Sequence, residues 1–248
     1  MEHIKIKVKS LSKSFSGIGI LQNINLDIYS KQSVVILGKS GVGKSVLAKI
    51  IIGLIEPDSG EVFFDGVNTT NISYSSRLAM LKHCGFLFQN GALFDSLDVR
   101  DNITFLASKL LNLNNDEKTN LAIEKLRAVG LSEKLINLFP SELSGGMNKR
   151  VALARAICHN PDIIFFDEPT SGLDPYMSAL IADLIIKFQS ELGATTITIT
   201  HDIHNAMRIA NDIVLIEDKQ IVWKGNKDLA ADSNNTYINS FLQYYSAK

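Results

Sequence analysis

Eight consecutive residues, from Gly38 to Ser45, combine glycines with a lysine and a serine in a spacing suited to binding phosphate. Their sequence, Gly-Lys-Ser-Gly-Val-Gly-Lys-Ser, fits the P-loop pattern Gly-x-x-x-x-Gly-Lys-Ser/Thr. Glycines allow such a loop to fold tightly around an anion, so that backbone N–H groups and a helix end point at phosphate oxygens. We expect Lys44 to contact the β and γ phosphates of a nucleotide, and the Ser45 hydroxyl to enter the coordination shell of Mg²⁺.

The segments on either side of this loop supply the elements that must position it. Ser33–Leu37 is an apolar strand candidate, and Val46–Ile51 has a helical pattern. A glycine-rich turn with a solvated lysine is the alternative, and this strand, loop and helix order disfavours it. The loop residues expected to bind the nucleotide are Gly38, Lys39, Ser40, Gly41, Val42, Gly43, Lys44, Ser45 and Val46.

Two adjacent carboxylates, Asp167 and Glu168, directly follow the continuous apolar run Ile163–Phe166. A strand that is apolar at every position is buried on both faces, so its end delivers these carboxylates to the rim of a parallel sheet, where such folds bind ligands. Asp167 can hold Mg²⁺, and Glu168 can order or deprotonate an attacking water. The alternative is a pair of solvated charges, which the P-loop makes less plausible.

Three further side chains are candidates for the same chemistry. Gln89 ends a short buried strand predicted at 85–89 and can serve as a metal ligand or water holder, although a glutamine is usually a surface residue. His201 follows the strand Ala194–Thr200 and can hydrogen-bond a γ phosphate, whereas a zinc site with His204 would lack a third ligand. Phe15, which we expect in a short polar loop, either stacks on a nucleotide base or caps the core.

Ser144, Gly145 and Gly146 precede the helical run Met147–His159. A serine and two glycines at a helix start form a second potential anion site. An ordinary N-cap is the alternative explanation for the serine.

The composition sets limits on the class of protein. The chain has 248 residues, 46% of them hydrophobic, and a net charge of −1, so it can form one or two domains and lacks the basic field of nucleic-acid binders. Cys84 and Cys158 make no disulfide framework and favour a reducing compartment. No apolar run approaches the roughly 18 residues of a membrane span, so we expect any membrane role to come through a partner.

Periodicity gives the remaining elements in outline. Residues 4–9 and 20–28 alternate as half-buried strands, and the middle region from about 91 to 129 has a helical pattern. The other predicted elements are a strand at Glu61–Phe64 entering a hairpin at Asp65–Gly66, a helix at Pro175–Leu192, strands at Asp212–Glu217 and Ile221–Trp223, and an amphipathic turn around Tyr237, Ile238, Phe241 and Leu242.

Taken together, these residues resemble the nucleotide-binding subunit of an ATP-binding cassette (ABC) transporter over nearly the whole chain. The resemblance depends on several motifs in the expected order. They are the P-loop, Gln89 as the Q-loop glutamine, Leu143-Ser144-Gly145-Gly146-Met147 as the signature, Asp167 and Glu168 as the Walker B pair, Ser171 to Asp174 as the D-loop, His201 as the switch histidine and Phe15 as the adenine-stacking aromatic.

This resemblance implies an α/β fold: a P-loop NTPase (RecA-like) core, residues 1–88 and 160–248, with an antiparallel β subdomain and an inserted helical subdomain at about 89–159. It implies a homodimer in which Ser144, Gly145, Gly146 and Met147 of one copy close on the nucleotide held by the other. It assigns catalysis to Glu168, His201 and Lys44, nucleotide and phosphate contacts to the P-loop, Phe15 and Gln89, and the Mg²⁺ ligands to Ser45, Gln89 and Asp167. The implied cofactors are ATP and Mg²⁺.

Met147 stands where most ABC signatures have glutamine, and with the run Phe88–Phe94 it resembles the ATPases of Mla-type lipid transporters. The implied partners are a transmembrane permease, an MCE-domain protein and small regulatory subunits, at the cytoplasmic face of the inner membrane and without nucleic acid. In this family the groove beside the Q-loop receives a permease helix, and Gly91–Leu97 would line it. Two alternatives remain: the ATPase of a small-solute importer, and a non-transport ABC protein acting on ribosomes or DNA.

Overall fold

The computed structural model describes residues 3–230 and 232–246 as alternating strands and helices. The strands are β1 (Ile4–Phe15), β2 (Ile18–Tyr29), β3 (Ser33–Leu37), β4 (Ser59–Phe64), β5 (Val67–Asn68), β6 (Cys84–Leu87), β7 (Ile163–Asp167), β8 (Thr195–Thr200), β9 (Asp212–Glu217) and β10 (Gln220–Asn226). The helices are α1 (Lys44–Ile51), α2 (Tyr74–Leu81), α3 (Val99–Leu111), α4 (Asn115–Ala128), α5 (Gly145–Ile157), α6 (Pro175–Leu192), α7 (Ile203–Ile209) and α8 (Thr236–Ser246), with short 3₁₀ turns at Glu133–Leu135, Pro140–Glu142 and Lys227–Leu229.

The described chain divides into two compact units. The first contains the residues up to Leu81 and those from Thr195 onward, and the second contains residues 82–194. Helices α3, α4 and α5 all belong to the second unit, in keeping with the helical middle region that periodicity predicts. The extent of 89–159 for a helical subdomain stays a prediction.

The first unit contains an antiparallel layer and a parallel ladder. In the antiparallel layer, β1 lies between β2 and β4, and β5 pairs with β4. In the ladder, β3 lies between β8 and β9, both parallel to it, and β10 adds antiparallel to β9. Every residue of β3 is buried, which is why this strand has no polar alternation in the sequence.

The β1–β2 hairpin corrects the predicted position of Phe15. This residue ends β1 and pairs with Ile18 across a two-residue turn at Ser16 and Gly17, both with positive φ, instead of lying in a loop. The alternation of apolar and polar residues that predicts β1 stops near Lys9. Beyond that point, register shifts make the pairing of β1 with β2 irregular.

Helix ends were easier to predict than short exposed helices. α6 has the predicted bounds because Asp174 caps its start, Pro175 occupies the first turn and Gly193 ends it in a left-handed conformation. α2 was missed because none of its residues is buried, so its sequence carries no apolar stripe. In α8, Ile238 and Phe241 are buried as expected, whereas Tyr237 is exposed.

In the second unit, β6 and β7 pair in parallel, and β6 packs against α5. Gly85 is required there, because a Cβ atom at this position would lie 2.2 Å from the Ala156 carbonyl oxygen of α5. Cys84 and Cys158 are both buried free cysteines. Burial raises the pKa of the Cys158 thiol to about 12.

Among the described residues, no helix combines the length and the apolar character that a membrane crossing needs.

A buried asparagine on α3 holds the segment that follows β6. Asn102 is fully buried, and its amide nitrogen donates to the carbonyl oxygens of Phe94, Leu97 and Asp98 at 2.9–3.1 Å. Its amide oxygen accepts a 2.8 Å hydrogen bond from the Phe94 N–H. One side chain therefore satisfies four backbone groups of an otherwise irregular segment.

Asn102→Ala should destabilise the protein by about 2–3 kcal/mol, since buried backbone groups lose their partners. Denaturant unfolding of the variant against the parent protein measures this. Asn120→Ala, at an exposed position of α4, is the matched control and should change stability by less than about 0.5 kcal/mol. Equal stabilities for the two variants would contradict the role given to Asn102.

Candidate nucleotide-binding and catalytic site

The P-loop leaves the carboxyl end of β3 and runs directly into α1. Gly38 fits where no side chain would, because a Cβ atom there would lie 2.5 Å from the carbonyl oxygen of Ile216. Gly43, the N-cap of α1, has a φ of 107° and offers no side chain to its first N–H groups. The helix start therefore has no side-chain cap from its N-cap residue, as an anion-binding loop requires.

Lys44 is buried within the loop that it completes. Its Nζ donates to the carbonyl oxygens of Gly38 at 2.7 Å and Lys39 at 3.0 Å. Lys39, by contrast, is exposed, and its Nζ pairs with Glu217 at the end of β9 at 2.7 Å. Both lysines thus hold the loop's shape, and the Lys44 ammonium lies inside the curve predicted to cradle phosphate.

Two further predicted residues of the first unit are positioned by neighbouring strands. The last ladder pair of β3 and β8 is Leu37 with Thr200, so the P-loop and His201 leave adjacent strand ends. Phe15 lies at the tip of the β1–β2 hairpin, and Lys13 Nζ lies 5.2 Å from its ring centroid. The second strand of that hairpin contacts the P-loop, since a Cβ atom on Gly43 would lie 3.0 Å from Ile20.

In the second unit, β7 ends at Asp167, and Glu168 follows it in an uncommon conformation. Glu168 is buried and has a φ of 48°, in the left-handed region that residues other than glycine rarely adopt. Pro169 adds to the strain, because the residue before a proline prefers extended backbone. Such strain costs about 1–3 kcal/mol and persists where the surroundings fix it, often where function requires it.

Gln89 and Glu168 occupy matching places at the ends of β6 and β7. The last ladder pair is Leu87 with Phe166, so each residue lies two positions beyond that pair. The strand therefore stops before Gln89, which is exposed, instead of including it as the sequence pattern predicts. The structure thus brings two predicted site residues of this unit to one edge.

The signature residues form the start of α5. Ser144 is exposed and caps the helix, accepting a hydrogen bond from the Met147 N–H at 3.3 Å. The predicted N-cap is thus present, and it leaves the anion-site hypothesis open. A Cβ atom at Gly146 would lie 2.9 Å from the Met177 Cε of α6, which is the flexible end of a side chain that can move aside.

Two basic side chains of α5, absent from the sequence prediction, hold backbone near these residues. Lys149 Nζ donates to the carbonyl oxygens of Gln89 and Glu168. Arg155 donates to the carbonyl oxygens of Gly91 at 2.7 Å and Ala92 at 2.8 Å. Helical periodicity could have identified Lys149 as buried, because it lies on the same helix face as buried residues three, four and seven positions later.

An apolar cavity of about 420 Å³ lies in the second unit beside the segment after Gln89. Four phenylalanine rings line part of it, and the Phe94 and Phe105 centroids are 4.7 Å apart. Arg155 lies over the Phe94 ring, and burial lowers the pKa of His159, which also lines the cavity. Of the predicted lining segment Gly91–Leu97, the structure places Ala92 and Phe94 at this cavity.

The predicted site residues have the functional groups that binding of a magnesium nucleotide requires. The P-loop provides backbone N–H donors and an ammonium for phosphate, and the three predicted metal ligands offer hydroxyl, amide and carboxylate oxygens, which a hard cation prefers.

The family match decides the identity. Residues 21–171 match the profile of the protein family described as ABC transporter. The chain belongs to the ABC transporter family. The matched range contains the P-loop, Gln89, the signature and the Walker B pair, but begins after Phe15 and ends before His201.

Individual relatives agree with this assignment. The chain is 36% identical to the intermembrane phospholipid transport system ATP-binding protein MlaF of Haemophilus influenzae, over 96% of this chain and 90% of the relative. It is also 36% identical to the probable ribonucleotide transport ATP-binding protein mkl of Mycobacterium leprae, over 96% of this chain and 69% of the relative.

Among solved structures, this chain is similar to an ATP-binding cassette in a dimeric post-hydrolysis state bound to ADP and Pi. The sequence identity is 32%, and the TM-score is 0.82 over 90% of this chain and 98% of that chain. The predicted α/β ABC cassette fold is confirmed. This ABC protein is an ATPase subunit that binds ATP.

The left-handed backbone of Glu168 generates a stability prediction. Glu168→Gly should be more stable than Glu168→Ala by about 0.5–1 kcal/mol, because glycine adopts this conformation without steric cost. Thermal or denaturant unfolding of the two variants provides the comparison.

The matched pair at Glu124, an exposed interior position of α4, should show the opposite order. There Glu124→Gly should be less stable than Glu124→Ala by about 1 kcal/mol. The same order at both sites would contradict the strained conformation of Glu168.

Proposed function

We propose that this chain supplies the energy for moving phospholipid between membranes, together with a permease, an MCE-domain protein and small regulatory subunits. The observation that carries the proposal is the 36% identity to the Haemophilus influenzae protein named for intermembrane phospholipid transport, which extends over 90% of that protein. Met147 in the signature and the run Phe88–Phe94 support it as features of Mla-type ATPases.

For the nucleotide, we propose that Lys44 and the P-loop N–H groups bind the phosphates of ATP and that Phe15 stacks on the adenine. Ser45, Gln89 and Asp167 would hold Mg²⁺ through their oxygen atoms. Bound there, Mg²⁺ would offset the negative charge that develops on the phosphate oxygens. The buried position of the Lys44 ammonium within its own loop supports this assignment.

For hydrolysis, we propose that Glu168 orients or deprotonates the water that attacks the γ phosphorus in line, while ADP leaves. His201 would hydrogen-bond the γ phosphate and respond to its presence. The burial and the fixed, uncommon backbone of Glu168 support a positioned carboxylate instead of a solvated one.

Cassettes of this family pair and act with permeases. For this chain we propose a homodimer in which the α5 start of one copy, at Ser144–Met147, closes on the ATP held by the other copy. An exposed N-cap with two glycines behind it suits an incoming phosphate. Such a closing positive group can contribute about 10³-fold to the rate.

The apolar cavity beside Phe94 is the proposed docking place for a permease helix. Its phenylalanine rings and other apolar residues suit the apolar face of an amphipathic helix. Arg155 holds the segment after Gln89 through its hydrogen bond to the Gly91 carbonyl oxygen. Docking there would hold the chain at the cytoplasmic face of the inner membrane as a peripheral subunit.

A second candidate function is the transport of a small solute. The Mycobacterium leprae relative, named for probable ribonucleotide transport, is also 36% identical over 96% of this chain. Both candidates need the same ATP chemistry, so the bound cargo of the assembled transporter must decide between them.

Glu168→Gln should retain ATP binding and lose roughly 10² to 10⁴ in turnover, because the amide cannot accept a proton from water. Steady-state hydrolysis and equilibrium binding of ATP measure the two properties. Glu124→Gln, an exposed glutamate on α4, is the matched control and should hydrolyse ATP as the parent does. Turnover at the parent's rate by Glu168→Gln would remove this residue from its proposed role.

The cargo proposal is tested by purifying the chain with its membrane partner from solubilised membranes. We expect a polytopic permease that carries phospholipid detectable by mass spectrometry. A permease that binds only a soluble nutrient or nucleotide would refute lipid transport and leave the ATPase assignment intact.

The same purification tests the docking cavity. Phe94→Asp should lower the recovery of the permease, since a charge in an apolar groove opposes helix docking. Leu111→Asp, at an exposed apolar position at the end of α3, should leave recovery unchanged. Equal recovery with both variants would place the permease elsewhere.

A further inference from the structure

Lys149 is a lysine in an unusual environment, on the buried face of α5. Only 7% of its surface is exposed, whereas lysines are almost always solvated. Its Nζ is within hydrogen-bond distance of two backbone carbonyl oxygens, those of Gln89 and Glu168. Burial lowers the pKa of Lys149, and the charges of Glu168 and Asp167 oppose this shift.

The two carbonyl groups lie where the sheet no longer provides partners. The β6–β7 ladder ends at Leu87 and Phe166, so Gln89 and Glu168 lie beyond its last hydrogen bonds. The Glu168 carbonyl oxygen also accepts from the Ser171 N–H at 3.2 Å, and one ammonium with three N–H donors can serve both carbonyl groups. Lys149 thus holds together two segments at the point where the strands release them.

The same lysine connects these segments to the exposed start of α5. Ser144 and Lys149 are five residues apart in one continuous helix, which corresponds to about 7.5 Å along its axis. A short helix segment transmits displacement with little bending, so a shift at Ser144 reaches the Gln89 and Glu168 carbonyls.

We propose that Lys149 is a positioning residue for ATP hydrolysis, which fixes the backbone of Glu168 and Gln89 relative to the signature end of α5. The inference rests on the role proposed above for Glu168. Without the ammonium, the φ and ψ angles of Glu168 can relax from the left-handed region, and the Cα–Cβ bond then points elsewhere. A carboxylate displaced by about 1 Å orients water poorly, and such an error can lower a rate by roughly 10²-fold.

The decisive variant is Lys149→Met in the full-length protein, which preserves the length of the side chain and removes the donors. We expect kcat for ATP to fall by roughly 10²-fold, with the ATP dissociation constant and the unfolding temperature close to those of the parent. Lys149→Gln, which retains donors, should lose less, and Lys149→Arg less still. Lys125→Met, on α4, is the matched control, because Lys125 is nearly as buried but bonds only to Glu124 among the contacts described.

A double variant separates this inference from the proposed function. If Lys149 acts through Glu168, adding Lys149→Met to Glu168→Gln should lower kcat no further. The inference would be overturned if the kcat losses of the two single variants multiplied in the double variant, or if kcat were unchanged in Lys149→Met. A parallel fall of kcat, ATP affinity and unfolding temperature in Lys149→Met would also overturn it.

Should Lys149→Met fail to fold, the same criteria apply to Lys149→Gln. If Glu168→Gln itself retains the parent's turnover, the proposed function of Glu168 fails first, and this inference falls with it. Loss of turnover in Glu168→Gln with normal turnover in Lys149→Met rejects the inference alone.

Discussion

Burial of the parallel strands on both faces is the constraint on which the arrangement of this protein depends. β3 and β8 are buried along their whole length, and β7 is buried up to Asp167. A strand that is covered on both sides cannot carry charged groups within the sheet without a large desolvation cost. Charged groups are therefore confined to the strand ends, where the P-loop, His201, Asp167 and Glu168 lie.

Sterically restricted backbone conformations lie at these strand ends. Gly38 leaves no room for a Cβ atom, and Glu168 has a left-handed conformation that a glutamate does not favour. The cost is local, and cooperating contacts such as the ammonium of Lys149 on the Glu168 carbonyl maintain it. A backbone held in this way limits where the carboxylate can lie, as the proposed orientation of a water molecule requires.

α5 connects several of these features within the second unit. Its exposed end carries the signature, its buried face carries Lys149, and farther along Arg155 fixes the segment that borders the aromatic cavity. A single rigid helix therefore touches the signature, the Walker B strand end and the proposed docking surface. We propose that this continuous helix links permease docking to nucleotide chemistry.

The sequence by itself determined the motifs and the ABC cassette fold, because the P-loop, the signature and the Asp167–Glu168 pair are contiguous and their flanking patterns are local. It also determined the bounds of α6, since Asp174, Pro175 and Gly193 act within a few residues of the helix ends. The order of the motifs along the chain was sufficient to indicate the family and its Mla-like relatives.

Only the tertiary structure decided the features that depend on contacts between distant segments. The strand position of Phe15 follows from pairing between β1 and β2, and α2 has no buried face to leave a pattern in the sequence. The bridge from Lys149 to Gln89 and Glu168 joins residues 60 and 19 positions apart. Every residue has a backbone carbonyl, so no residue type in the sequence indicates that these two oxygens share one buried ammonium.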